Sequence, residues 1–154
     1  MFSSTLLSQN EKRKSYKLEI AVDEAQQYIM DVPESPYFVR EKVLQIYCNE
    51  TVLVECEIQG DSISTMKVVD KNINPEKTIV INFTQNSDDR KNIKTDLHVK
   101  NPFDKKLIYN AMMFTPTSQK WKSTSIFPIQ PKLENFEMWP HPIITLVLEN
   151  WSFK

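Results

Sequence analysis

The sequence predicts an all-β protein, an antiparallel β-sandwich of about ten short strands. Three observations lead to this class. Apolar residues recur with period two in short runs, turn-forming residues separate these runs every 8–12 residues or so, and intervening stretches with helical periodicity are absent. The missing helices argue against a parallel α/β sheet. A chain of 154 residues is long enough for one domain with its own core.

The first half of the chain predicts paired strands. Residues 16–22 and 27–32 alternate apolar with polar side chains, and the break at Asp23 predicts a hairpin between them. Residues 43–47 predict the next strand, and "CNET" predicts the turn that joins it to a strand over 52–58. On that strand, one face is expected to carry Val52, Val54, Cys56 and Ile58.

Turn residues divide the middle of the chain into further strands. Gly60 and Asp61 predict a tight turn before a strand over 62–69, and another strand follows over 78–84. The inward face of this latter strand is expected to carry Ile79, Ile81 and Phe83. Residues 85–94 are polar and poor in apolar side chains, which predicts the most mobile loop of the chain.

The last third repeats the alternation and adds most of the prolines and tryptophans. A strand near 96–100 and a strand over 107–113 flank a turn, and residues 143–151 predict the final strand. The second of these strands is expected to bury Leu107, Tyr109, Ala111 and Met113. Proline cannot donate to a strand ladder, so residues 127–142 predict a rigid connection that folds over one open end of the sandwich.

Residues 96–114, "DLHVKNPFDKKLIYNAMMF", resemble a strand–turn–strand of immunoglobulin-like and fibronectin-III-like sandwich domains, a group that includes water-stress-type domains and several bacterial extracytoplasmic sandwiches. The resemblance is carried by Asn101, Pro102, Phe103, Asp104, Leu107 and Tyr109. It implies an immunoglobulin-like architecture. The Cys…Trp…Cys spacing of antibody domains is missing, so only the architecture is implied.

Charge and glycine content exclude several classes of function. The formal net charge is −1, which provides no general attraction to nucleic acid. Gly60 is the only glycine, and this argues against glycine-rich phosphate loops and the strained turn of serine hydrolases. No run of eighteen apolar residues occurs, so no membrane span is expected.

The N-terminal residues are expected to lie outside the fold. Residues 1–14 predict a disordered N-terminus or the remnant of a signal peptide, and residues 15–154 predict a single β-sandwich domain. The short basic cluster at 11–14 is expected to be solvated. A signal-peptide remnant would place the protein outside the cytoplasm, in the periplasm or secreted. The alternative is a cytoplasmic protein.

The two cysteines are expected to be unpaired apolar fillers. Cys48 and Cys56 are eight residues apart. On one strand, a rise of about 3.3 Å per residue would put them beyond disulfide reach, and across a hairpin they would lie at different heights, so a disulfide is disfavoured. Neither has a histidine or further cysteine at metal-ligand spacing. No metal or cofactor is therefore predicted.

The two histidines and the C-terminal aromatic residues are the candidates for a site. His98 faces outward beside Asp96 and Lys100, where a carboxylate could orient it as a general base. His141 lies in "WPHP", where flanking prolines hold Trp139 and His141 in extended backbone. Trp139 is expected either to close the core or to face a partner. The candidate partner surface comprises Trp121, Phe136, Trp139 and His141.

These observations predict a non-catalytic binding or structural module of an exported bacterial protein. The alternative is a carbohydrate- or protein-recognition domain that uses the C-terminal aromatic residues. A hydrolase built on His98 or His141 is the third hypothesis. It requires a serine, cysteine or carboxylate within hydrogen-bonding reach of one of these histidines.

Overall fold

A computed structural model describes residues 11–154 and shows an all-β protein built on two antiparallel five-stranded sheets. The strands are β1 (Lys12–Arg13), β2 (Tyr16–Ala21), β3 (Gln27–Val32), β4 (Ser35–Pro36), β5 (Phe38–Arg40), β6 (Val43–Tyr47), β7 (Glu50–Gln59), β8 (Ser62–Val69), β9 (Thr78–Asn86), β10 (Lys94–Lys100), β11 (Leu107–Phe114), β12 (Trp121–Thr124), β13 (Glu134–Trp139) and β14 (Thr145–Phe153). A single 3-10 turn, Pro75–Lys77, precedes β9. Within the described residues no helix is long and apolar enough to cross a membrane.

The two large sheets enclose one core. Sheet I has the strand order β13-β10-β9-β7-β8, and sheet II has the order β12-β11-β14-β6-β5. Two further pairs, β2–β3 and β1–β4, form small two-stranded sheets. The predicted antiparallel β-sandwich is therefore confirmed at the level of class and layers.

Alternating apolar side chains from both sheets fill the core, as the pattern predicts. Ile79, Ile81 and Phe83 of β9 are fully buried, and so are Leu146 and Leu148 of β14. On β7 the row of inward-facing apolar side chains ends before Ile58, because the pairing register with β8 shifts between Glu57 and Ile58. The prediction that Ile58 faces the core is consequently wrong, and its side chain is 41% exposed.

The turn predicted at "CNET" connects the two sheets instead of closing a hairpin. β6 belongs to sheet II and β7 to sheet I. Asn49 takes a positive φ of 73° at this corner, and its side-chain oxygen accepts a hydrogen bond from Gln85 N at 3.2 Å. Period-two alternation reports which side of a strand is apolar, and it does not report which sheet the strand joins.

The second connection between the sheets is built on Asn101, which is fully buried. Its Nδ2 donates to the carbonyl oxygens of Lys105, Ile129 and Gln130 at 2.8, 3.0 and 3.2 Å. Its Oδ1 accepts from Phe103 N at 2.9 Å. The asparagine of the "NPFD" turn thus satisfies four backbone groups while the chain passes from β10 to β11.

The prediction for the N-terminal segment is wrong at residues 11–14. Lys12–Arg13 form β1, and the side chain of Arg13 is only 2% exposed. Its Nε and Nη2 bind the two carboxylate oxygens of Glu50 at 2.7 and 2.8 Å. Glu50 lies on β7, 37 residues from Arg13, so the residues around Arg13 do not indicate that this basic cluster belongs to the fold. The prediction for residues 1–10 lies outside the described residues.

The proline-rich connection contains a strand that the sequence did not predict. β13 (Glu134–Trp139) pairs along its whole length with β10 and forms one edge of sheet I. Its apolar Phe136 and Met138 face solvent, whereas Asn135 and Glu137 bond the backbone near Phe127. The strand was missed because its most apolar side chains lie on the outer face.

The loop predicted to be most mobile is fastened to the first hairpin. Arg90 Nη2 donates to the carbonyl oxygens of Asp23 and Gln26 at 2.7 and 2.9 Å. The side-chain amide of Gln85 also exchanges hydrogen bonds of 2.8 and 2.9 Å with the backbone of Ala21. These contacts hold the β2–β3 hairpin against the end of the sandwich.

Cys48 and Cys56 are free and buried, and both thiols are expected to resist modification. Burial raises the pKa of each thiol from 9.0 to about 12, and for Cys56 the carboxylates of Glu55 and Glu57 add to the effect. At pH 8 neither thiol should react with a disulfide reagent in the folded protein, and both should react in denaturant.

The raised thiol pKa values also predict a loss of stability in alkali. The folded pKa exceeds the unfolded value, so the stabilisation is complete below pH 9 and decreases as the pH rises from about 9 towards about 12. Denaturant titrations across this range measure the slope. The double variant Cys48→Ala/Cys56→Ala should show a shallower slope, and an unchanged slope would contradict the assignment.

Candidate functional site

A cross-strand row of four side chains crosses the outer face of sheet I. Thr51 of β7 lies opposite Asn82 of β9, Asn82 lies opposite His98 of β10, and His98 lies opposite Phe136 of β13. Because directly opposed residues of antiparallel strands share a face, all four project to the same side. We call these four residues the His98 row.

Direct contacts connect the members of the His98 row. Thr51 Oγ1 donates to Asn82 Oδ1 at 2.8 Å, and Asn82 Nδ2 donates to His98 Nδ1 at 3.4 Å. Because an amide nitrogen can only donate, Nδ1 is the acceptor in this contact. The His98 and Phe136 rings are parallel within 1° and 4.2 Å apart between centroids. Phe136 is itself 68% exposed, so the row ends in an accessible aromatic ring.

A carboxylate flanks the imidazole. Glu134 Oε1 lies 3.2 Å from His98 Nε2, but Nε2 has no partner aligned for a hydrogen bond within the described residues. Asp96 and Lys100 lie two residues away on the same strand face. The nearest hydroxyl of the row, on Thr51, bonds Asn82 and not the histidine. The arrangement presents an aromatic surface beside amide, hydroxyl and carboxylate groups, which suits binding better than nucleophilic attack.

The four residues of the predicted partner surface do not form one surface. Phe136 belongs to the His98 row, on the outer face of sheet I. Trp121 lies on β12, at the edge of sheet II, where its ring packs against Phe114 at 5.3 Å. Trp139 is only 8% exposed, and its Nε1 donates to Thr124 Oγ1 at 2.8 Å. Proximity in the sequence does not reveal which sheet, or which face of a sheet, a side chain joins.

"WPHP" closes an end of the core and carries the chain from sheet I to sheet II. Trp139 ends β13 as a buried side chain, and the carbonyl of His141 accepts a hydrogen bond from Thr95 Oγ1 at 2.7 Å. His141 Nδ1 donates to Pro142 O at 3.1 Å. Beside it lies a groove of about 370 Å³, bounded by Asp23 and Arg90 among others. His141 therefore lies at one end of the sandwich, apart from the His98 row.

Sequence reasoning identified His98 as outward and Phe136 as a candidate, and it missed Asn82, Thr51 and Glu134. Asn82 lies between the buried residues Ile81 and Phe83 on its strand, so its outward direction was predictable from the alternation. Its position opposite His98 was not, because the register between strands depends on loop lengths and packing that one sequence does not show.

The described residues contain no group of three or more histidine, cysteine or acidic side chains arranged to hold a metal ion. Comparison with protein-family models, with curated proteins and with solved structures found no match to this chain.

Proposed function

We propose that this protein is a non-catalytic recognition module that binds carbohydrate on the outer face of sheet I. The observation that carries the proposal is the His98 row, in which an exposed aromatic ring continues directly into an imidazole, an amide and a hydroxyl.

The chemistry of the row matches a sugar. One side of a sugar ring carries C–H groups with a small positive potential, and these pack favourably on the negative face of an aromatic ring such as Phe136. The hydroxyl groups around the ring need donors and acceptors in fixed positions, and Asn82, Thr51 and Glu134 offer both. Hydrogen bonds between the row's own members hold these groups in place before a ligand arrives, which reduces the entropy lost on binding.

The charges on this face favour a neutral ligand. Lys67 lies 3.6 Å from Glu55, and Lys77 lies 2.7 Å from Glu57, so positive and negative side chains of β7, β8 and the neighbouring turn compensate each other. The net charge of the whole chain is −1. A nucleic acid would require an uncompensated basic surface.

Replacing Phe136 with alanine is expected to weaken glycan binding at least about tenfold, since the aromatic ring provides the apolar contact. Phe127→Ala is the matched control, because Phe127 is also a phenylalanine of the C-terminal segment and is 70% exposed, outside the row. Retention on immobilised glucans, xylans, mannans and chitin, followed by calorimetric titration of the glycans that bind, measures the effect.

Two results would overturn the proposal. One is that none of these glycans retains the wild-type protein. The other is that Phe127→Ala loses as much affinity as Phe136→Ala. Binding would then depend on exposed apolar side chains in general and not on the His98 row.

Protein recognition through sheet II is the second candidate function. Trp121 is exposed at the edge strand β12 and packs on Phe114, and tryptophan is enriched at the energetic centres of protein interfaces. Trp121→Ala discriminates between the two functions, because it should leave glycan binding unchanged if the row is the binding site.

The proposal extends to architecture and location. Two antiparallel sheets joined by chain crossings at residues 48–49 and 101–106 support an immunoglobulin-like arrangement of the sandwich. An exported bacterial protein is the proposed context, supported by the similarity of "FSSTLLSQ" to the end of a signal peptide. Fractionation of expressing cells into cytoplasmic and extracytoplasmic pools tests the location.

A further inference from the structure

We propose that a groove at the end of β9 and β10 is a second subsite of the same face, and that the ligand is an oligosaccharide spanning the His98 row and this groove. The inference rests on the proposed function and adds to it the size of the ligand and the place of its second sugar unit. The groove has a volume of about 260 Å³.

The groove continues directly from the row. Val80 and Lys100, which line it, are paired opposite each other in the β9–β10 register. Each lies two residues beyond a member of the His98 row on its own strand, and two residues along a strand return to the same face about 6.6 Å away. A ligand packed on Phe136 and His98 therefore reaches the groove by following β10, without turning to another face.

Hydrogen bonds fix the walls of the groove. The turn from β10 towards β11 is held by Asn101, and Lys132 Nζ donates to Pro102 O at 2.7 Å on the same wall. On the opposite wall, Thr78 Oγ1 donates to Asn74 O at 2.7 Å and thereby holds the segment that contains Glu76. A groove with fixed walls binds a ligand without first ordering its own chain.

Lys100 provides the polar contact at the junction of row and groove. Its side chain is exposed and forms no ion pair within residues 11–154, so its ammonium group has donors available for sugar hydroxyls. Lys132 already donates to a backbone carbonyl, and Glu76 lines the groove with a carboxylate, a group that can only accept hydrogen bonds when ionised. The subsite therefore offers both donors and acceptors to a hydroxyl-rich unit.

The test measures how affinity depends on ligand length. For each sugar type that the wild-type protein binds, calorimetric titration is carried out with the series from monosaccharide to hexasaccharide. The wild-type affinity is expected to increase at least about tenfold from the monosaccharide to the longer members and then to level off. Lys100→Ala should lose most of this increase. Lys94→Ala is the matched control, since Lys94 is an exposed lysine at the other end of β10 and should retain it.

The outcomes separate the two proposals. Equal affinity for the monosaccharide and the hexasaccharide would overturn the second subsite and leave the proposed function intact. An increase with length that Lys100→Ala and Lys94→Ala reduce equally would also overturn it. Absence of binding to every member of every series would overturn the proposed function itself. The thermal unfolding midpoints of both variants, expected to match the wild type, verify that each is folded.

Discussion

Replacing Glu50 with alanine is expected to lower the free energy of unfolding by about 3–5 kcal/mol, the usual cost of leaving one member of a buried ion pair without its partner. Glu50 binds Arg13 through both carboxylate oxygens and also accepts from Tyr16 Oη at 3.1 Å and Tyr47 N at 2.8 Å. The variant leaves the guanidinium of Arg13 buried, with most of its charge uncompensated. Urea denaturation of the variant and the wild type measures the difference.

In the variant, Arg13 cannot relieve its charge by losing a proton, because the pKa of a guanidinium lies far above neutral pH even without an acidic partner. In the wild-type protein burial lowers the pKa of Arg13, but the hydrogen bonds and charge of Glu50 outweigh this and raise it overall. The guanidinium also lies 4.4 Å from the Tyr37 ring centroid and 4.9 Å from that of Tyr47, enclosed between two aromatic rings. Arg13 therefore stays charged and depends on Glu50.

Glu57→Ala is the control for this prediction. Glu57 also forms a 2.7 Å ion pair, with Lys77, but Glu57 is exposed and Lys77 only half-buried, and pairs so accessible to solvent contribute little. The free energy of unfolding of Glu57→Ala should equal that of the wild type. Equal stabilities of Glu50→Ala and Glu57→Ala would contradict the claim that β1 is held by a buried pair.

Replacing Asn101 with aspartate is expected to destabilise the protein by about 3 kcal/mol or more. The change preserves the size of the side chain but replaces its amide donor with a carboxylate oxygen. That oxygen would face the carbonyl oxygens of Lys105, Ile129 and Gln130, all within 3.2 Å of the present Nδ2. Thermal and urea unfolding both report the loss.

Asn110→Asp provides the matched control, because Asn110 is an exposed asparagine on β11. It should change stability little. If Asn101→Asp were as stable as Asn110→Asp, the crossing between β10 and β11 would not depend on the buried amide.

Strands were predictable from the sequence where one face of the strand is buried and the other is exposed to solvent. β9 and β10 follow this rule, and the inward stripe of β9 and the outward direction of His98 on β10 were predicted correctly. β13 breaks the rule, because Phe136 and Met138 face solvent and its polar positions bond the neighbouring loop. A pattern read as apolar-inward fails on an edge strand of this kind.

The candidate site was predictable only in parts, for a related reason. The outward direction of His98 follows from its own strand, whereas its contact with Asn82 and Phe136 depends on the registers of β9 and β13. Arg13 and Glu50 are 37 residues apart, so the sequence around Arg13 does not indicate that its side chain forms an ion pair. Contacts between residues so far apart in the sequence depend on how the whole chain folds.

NMR chemical-shift mapping of the wild-type protein, titrated with a glycan that it retains, locates the binding site. We expect the largest amide and side-chain shifts on the outward positions of β9, β10 and β13, with the Asn82 side-chain amide among them. Shifts confined to the groove beside His141, or to sheet II around Trp121, would contradict the claim that the His98 row is the binding site.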